Sequence, residues 1–138
     1  MEPSEESPAR PASYAPEVDG LPDPGEVVWT WVAYEDDPSQ GKDRPVLVLA
    51  FADAGSFLGL QLTSKDHDRD AEQEASWGRH WMDVGSGDWD RERRPSEVRL
   101  DRLLVLPTAD VRREGAALSP EVFAAVVAAA SEHHPGLA

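Results

Sequence analysis

Cysteine is absent from this chain. With it go disulfide staples, thiolate nucleophiles and cysteine-ligated zinc. The fold must therefore rest on its apolar core, and the composition fits a reducing compartment such as the cytoplasm. Basic residues are scarce, with 13 Lys and Arg against 27 Asp and Glu, a formal net charge of −14. So acidic a surface repels polyanions, and any nucleic-acid function has to rest on a local basic site. Long apolar runs are missing too. The longest, from Val122 to Ala130, is about half of the roughly 20 residues that span a bilayer, so no membrane role is expected. The opening MEPSEESPARP carries no apolar stretch of the kind a secretory signal needs. No internal repeat is visible, and 138 residues suit one domain of ordinary size.

What is present divides into two parts. Residues 1–23 hold five of the twelve prolines, a net charge of −5 and few large apolar groups. Such a segment buries too little to offset its chain entropy, so a disordered acidic tail is expected there, with a folded domain over 24–138. Asp23-Pro24-Gly25 reads as the turn that starts the domain. VVWTWV (27–32) alternates as a strand, with Val27, Trp29 and Trp31 on one face and Val28, Thr30 and Val32 on the other. RPVLVLAF (44–51) is apolar on both faces and should be central. FLGLQLTS (57–64), WGRHWMDV (77–84) and EVRLDRLLVL (97–106) read as further strands, with GSGDWD (85–90) as a hairpin turn. Thr108 is placed to cap a short helical turn ending at Gly115. Ser119-Pro120-Glu121 starts a helix whose stripe is Phe123, Val126, Val127 and Ala130. The fold class expected is mainly β: an SH3-like small β-barrel with a C-terminal helix.

Several groups could carry chemistry. Arg44 stands where a polar loop meets a buried strand, so a rigid element would hold its guanidinium fork, a geometry that suits phosphate or carboxylate. The bland alternative is a surface arginine paired with Asp43 or the Glu35-Asp36-Asp37 run. Thr63 and Ser64 end an apolar strand, and Lys65 and His67 follow directly. Hydroxyl, amine and imidazole at a strand end could serve phosphoryl chemistry, or form a turn with solvated neighbours. Asp66, His67, Asp68 and Asp70 crowd together with His80 further on, yet match no defined metal loop, so no metal is expected. His133 and His134 follow the last helix and read as tail residues. Of the five tryptophans, Trp29 reads as core or interface, whereas Trp77, Trp81 and Trp89 stay open. Arg91, Arg93, Arg94 and Arg99, with Arg79 and His80, form a basic cluster that either meets a nucleic acid or is balanced by Asp88, Asp90 and Glu92.

The order of these pieces resembles a family. GEVVWTWV (25–32), a polar loop, GKDRPVLVL (41–49) and LQLTS (60–64) are similar to the opening of the PemK/MazF toxins of type II toxin–antitoxin systems. SEVRLDRLLVL (96–106) and the C-terminal helix fit its later part. The resemblance covers about residues 24–131. It implies an SH3-like barrel, a homodimer, a cognate antitoxin partner and cytoplasmic metal-independent cleavage of single-stranded RNA. In that reaction the ribose 2′-OH attacks phosphorus, leaving a 2′,3′-cyclic phosphate and a 5′-OH, with no cofactor. Carried over by position, the family's arginine is Arg44 and its threonine Thr63. Lys42, Ser64, Lys65, His67, Arg79 and Arg99 are the expected substrate-binding residues. The same barrel can also serve a non-catalytic binding protein or a CcdB-like gyrase inhibitor, and fold does not separate these readings. The presence of both Arg44 and Thr63 favours the enzyme.

Overall fold

Val27 and Val28 are both fully buried, yet they pack into different clusters, because successive strand residues face opposite ways. That division organises the whole chain. The computed structural model describes residues 9, 11, 12, 14, 15, 23–64, 76 and 78–137. Their elements are β1 (Glu26–Ala33), β2 (Gly41–Asp53), β3 (Ser56–Thr63), β4 (Trp81–Gly85), β5 (Ser96–Arg99), β6 (Leu104–Pro107), β7 (Arg113–Ala117) and the helix α1 (Pro120–Ala130). The strands form one antiparallel sheet in the order β4-β5-β3-β2-β1-β7, with β6 also on β3. One edge of β3 is shared: residues 56–59 pair with β6, and Leu62 and Thr63 pair with β5. This sharing curls the sheet into a half-barrel, the mainly β architecture with a C-terminal helix that the sequence suggested.

Each sheet face carries its own core. On one lie Val27, Leu47, Leu58, Leu60 and Leu62, covered by Phe123, Val126 and Ala130 of α1. On the other, Val28, Val32, Val46, Val48 and Phe57 close against Leu104 and Leu106 of β6. Burying each such large side chain contributes about 1.5–3 kcal/mol. Gly59 is required where β2 and β3 meet. A Cβ there would collide with Val46 Cγ1 and come within 3.1 Å of the Leu47 carbonyl oxygen. The helix starts as its sequence dictates: the Ser119 hydroxyl accepts a hydrogen bond from the Val122 N–H at 3.2 Å, and Pro120 occupies the first turn. Parts of the N-terminal stretch lie on this helical side. Tyr14 Oη donates to the Leu118 carbonyl at 2.6 Å, its ring sits 5.4 Å from that of Phe123, and the Ala12 N–H donates to the Leu137 carbonyl.

Three expectations are corrected. The single strand over 97–106 is two, β5 and β6. The chain leaves β5 at Leu100, whose N–H donates to the His80 carbonyl, and returns to pair with the other half of β3. The helical turn from Thr108 stops at Asp110, and the Thr108 hydroxyl donates to the Gly55 carbonyl rather than capping. The segment expected to finish that helix is β7, because β1 offers it an unpaired edge: Glu26 faces Ala117 and Val28 faces Glu114. Nor are His133 and His134 mere tail residues. The His133 ring lies 4.7 Å from that of His80. His134 Nε2 sits 3.0 Å from the Leu100 carbonyl, which can only accept, so that nitrogen carries the proton.

Candidate active site

Register brings the two principal residues together. β2 and β3 are antiparallel with Val46 opposite Gln61. The paired stretch ends there, and Arg44 and Thr63 each lie two residues beyond it, at the same end of the two strands. Alternation places Arg44 and Thr63 on the same face as Val46 and Gln61. Both residues line one cavity of about 250 Å³, together with Lys42 and Ser64. Its other walls are Trp29, Asp43, Pro45, Leu62 and Ser96 from the strands, and Trp89, Asp90 and Arg94 from the β4–β5 connection. That connection is fixed to the sheet by its tryptophan. Trp89 is buried, its indole N–H donates to Ser96 Oγ at 3.1 Å, and its carbonyl accepts from Trp29 Nε1 at 2.7 Å. Trp29, half-buried, is thus a wall of the cavity rather than a member of either core cluster.

The charges around the cavity explain how so acidic a chain keeps a cationic site. Asp43 is paired with Arg112 at 3.2 Å. Asp90 binds Arg94 at 2.8 Å, and this bond first, with the attraction behind it, holds the Arg94 guanidinium above its ordinary pKa. Neither Lys42 nor Arg44 has an ion pair among the described residues. The acids nearest the cavity are thus engaged, while two of its cations stay available. The Glu35-Asp36-Asp37 run does not neutralise Arg44; Glu35 is bound to Arg99 instead.

The remaining expected residues are scattered. Arg99 does not line the cavity. Its side chain is 6 % exposed, and its Nη2 lies 2.8 Å from Asp101 Oδ2 and 3.1 Å from Glu35 Oε1. Burial pulls the Arg99 pKa down, but the bonds to Asp101 and Glu35 outweigh it and leave it raised. Burial pushes Asp101 up, but Arg99 and the His80 backbone N–H outweigh that and leave it lowered. Arg79 is half-buried before β4 and does not line the cavity either. Arg93 pairs with Asp88, and Arg94 with Asp90 and Glu92, so this part of the basic cluster is balanced by its own acids. Lys65 and His67, with Asp66, Asp68, Asp70 and Trp77, lie outside the described residues. No group of three or more His, Asp or Glu that could hold a metal is gathered among the described residues. None of the helices described is long and apolar enough to cross a membrane.

One wall of the site, and one arginine outside its lining, escaped sequence reasoning. The Trp89–Arg94 wall belongs to a connection with no periodicity, so no local signal places it beside Thr63. Arg102 is half-buried and binds Gln61 Oε1 at 3.3 Å and the Ala33 carbonyl at 2.9 Å. Only its unusual place among apolar strand residues pointed to it.

The fold is shared with known proteins. The model of a family described as PemK-like, MazF-like toxin of type II toxin–antitoxin system matches residues 23–133. Similar solved structures include a MazE–MazF complex from Deinococcus radiodurans, 21% identical with a TM-score of 0.59, covering 85% of this chain and 98% of that one. Another is an endoribonuclease in complex with its cognate antitoxin from a mycobacterial species, 14% identical with a TM-score of 0.58, covering 83% and 95%. A mycobacterial endoribonuclease is similar at 14% identity and a TM-score of 0.55, covering 88% and 97%. At these identities the likeness establishes the fold. No curated protein matches the chain by sequence.

Proposed function

The chain belongs to the PemK-like, MazF-like toxins of type II toxin–antitoxin systems, and from that premise we propose that it is a metal-independent endoribonuclease acting on single-stranded RNA in the cytoplasm. The observation that carries the reading is the meeting of Arg44 and Thr63 at one cavity whose acids are already paired. In the proposed step the ribose 2′-oxygen forms a bond to the adjacent phosphorus and the bond to the 5′-oxygen breaks. The 2′-hydroxyl loses its proton and the leaving oxygen gains one, so the step consumes no water. The products end in a 2′,3′-cyclic phosphate and a 5′-OH.

Arg44 stabilises the charge that builds on the non-bridging oxygens. A guanidinium is too weak an acid to be assigned more than that. The Thr63 hydroxyl orients the phosphate or the attacking hydroxyl, which converts a chance encounter into a positioned one. Lys42 and Ser64, on the same walls, hold the strand. Two of the similar structures contain an antitoxin, and this supports a cognate antitoxin as the natural inhibitor. A homodimer is proposed on family grounds.

The test is incubation of a long single-stranded RNA with the protein in EDTA, beside Arg44→Ala, followed by mapping of the ends. Discrete cuts bearing cyclic phosphate, lost in the variant, are expected. Folded protein that cuts no RNA would overturn the proposal in favour of a binding protein on the same barrel, and gyrase inhibition would be assayed next.

A further inference from the structure

Arg102 is held in place by uncharged groups. Its Nη1 donates to Gln61 Oε1 on β3, and its Nη2 donates to the Ala33 carbonyl at the end of β1. The two carboxylates nearest to it are committed elsewhere. Glu35 and Asp101 both bind Arg99, Asp101 through both carboxylate oxygens at 2.8–3.2 Å and Glu35 at 3.1 Å. Arg99 thus takes up both carboxylates, and Arg102 is left beside them with no ion pair among the described residues. Burial holds the Arg102 pKa below its ordinary value, and the charges of Arg99 and Arg44 add to this against the attraction of Glu35 and Asp101. Arginine cannot relieve such a position by losing its proton. An incoming anion relieves it.

Position says which anion. Gln61, to which Arg102 is tied, lies two residues before Thr63 and on the same face of β3. That is one pleat repeat, about 6.6 Å, comparable to the separation of successive phosphates along an extended single strand. Resting on the endoribonuclease reading, we propose that Arg102 is a substrate-binding residue that grips the RNA phosphate next to the one on which Arg44 acts. The guanidinium is already pinned by two hydrogen bonds, so little of its freedom remains to be lost on binding. Arg44 and Arg102 together would set the register of the strand, one phosphate at each.

The test uses a short RNA carrying a site mapped in the cleavage assay, made uncleavable by 2′-O-methylation. A single neutral methylphosphonate is moved along it, and binding is measured with the wild-type protein and with Arg102→Gln. Two adjacent positions should each weaken wild-type binding by about tenfold, and only one of them should still matter in the variant. The slope of log affinity against log salt should fall by about 0.7 in the variant, with Arg102→Lys restoring it. A merely structural role for Arg102 would weaken binding without moving that slope. A single sensitive position in wild type, or an unchanged slope in Arg102→Gln, overturns the assignment while the nuclease stands. Wild-type protein that neither cuts nor binds RNA overturns both.

Discussion

Arg44 and Arg99 are both strand arginines on one small sheet, and they are used in opposite ways. Arg99 is almost fully buried, and its charge is consumed by Asp101 and Glu35. The pair leaves Arg99 harder to deprotonate and Asp101 harder to protonate than usual, despite burial that works against both. Arg44 is half-buried at a cavity rim, with no ion pair among the described residues. The difference teaches that net charge says little about a site. In a chain of net charge −14 the acids near the cavity are spent on other arginines: Asp43 on Arg112, Asp90 on Arg94, Glu35 on Arg99. Lys42 and Arg44 are left facing the space where a ligand would sit.

That contrast can be broken from either side. Arg44→Ala should lower the cleavage rate by roughly 10²–10³-fold, with the urea unfolding midpoint unchanged. A midpoint that falls with the rate would make Arg44 another structural arginine. Arg99→Met should do the reverse to stability. It leaves Asp101 without its main partner, and stability should fall by roughly 3 kcal/mol in urea titration; a loss below about 1 kcal/mol would place Arg99 among the loosely held surface charges.

Acid sharpens the comparison further. The native pKa of Asp101 lies below its unfolded value, so its contribution is whole above the ordinary carboxylate range and disappears as pH falls through the native value. The acid limb of the melting curve should therefore flatten in Arg99→Met and stay as in wild type in Arg44→Ala. His134 acts at higher pH. Burial, with the charge of His133, lowers its pKa from the ordinary 6.5 against the Leu100 carbonyl bond. The unfolded chain then takes up the proton first, and stability declines as pH falls through about 6.5. His134→Asn, which can still donate to Leu100, should remove that decline. The smallest effect is a control outside the lining of the Arg44 cavity: Ser119→Ala deletes the cap of α1 and should cost about 1 kcal/mol, with cleavage per folded molecule unchanged.

Much of the fold was readable because it rests on local patterns. The alternation in β1, the apolar run of β2 and the Ser119-Pro120-Glu121 start of α1 each encode their element within a few residues. Where reading failed, a distant partner had decided. Residues 97–106 keep a strand-like apolar phase, but β3 divides its edge between β5 and β6 and so breaks the run. The stretch up to Gly115 has a helical start, but the open edge of β1 takes it as β7. The site divides in the same way. Arg44, Thr63, Lys42 and Ser64 were legible as groups at strand ends, where rigid backbone meets solvent. Arg99 looked like its neighbours in the basic cluster, because nothing local shows that Glu35 and Asp101 will close on it.

The sequence by itself determined the strand faces, the helix and its cap, the absence of thiol chemistry and the family resemblance, since all of these depend on residue type and short spacing. Only the tertiary structure decided which charges are spent and which are available. Ion pairing depends on approach to within a few ångströms, and the partners here, Glu35 with Arg99 and Asp43 with Arg112, are brought together by the curl of the sheet from far apart in the chain.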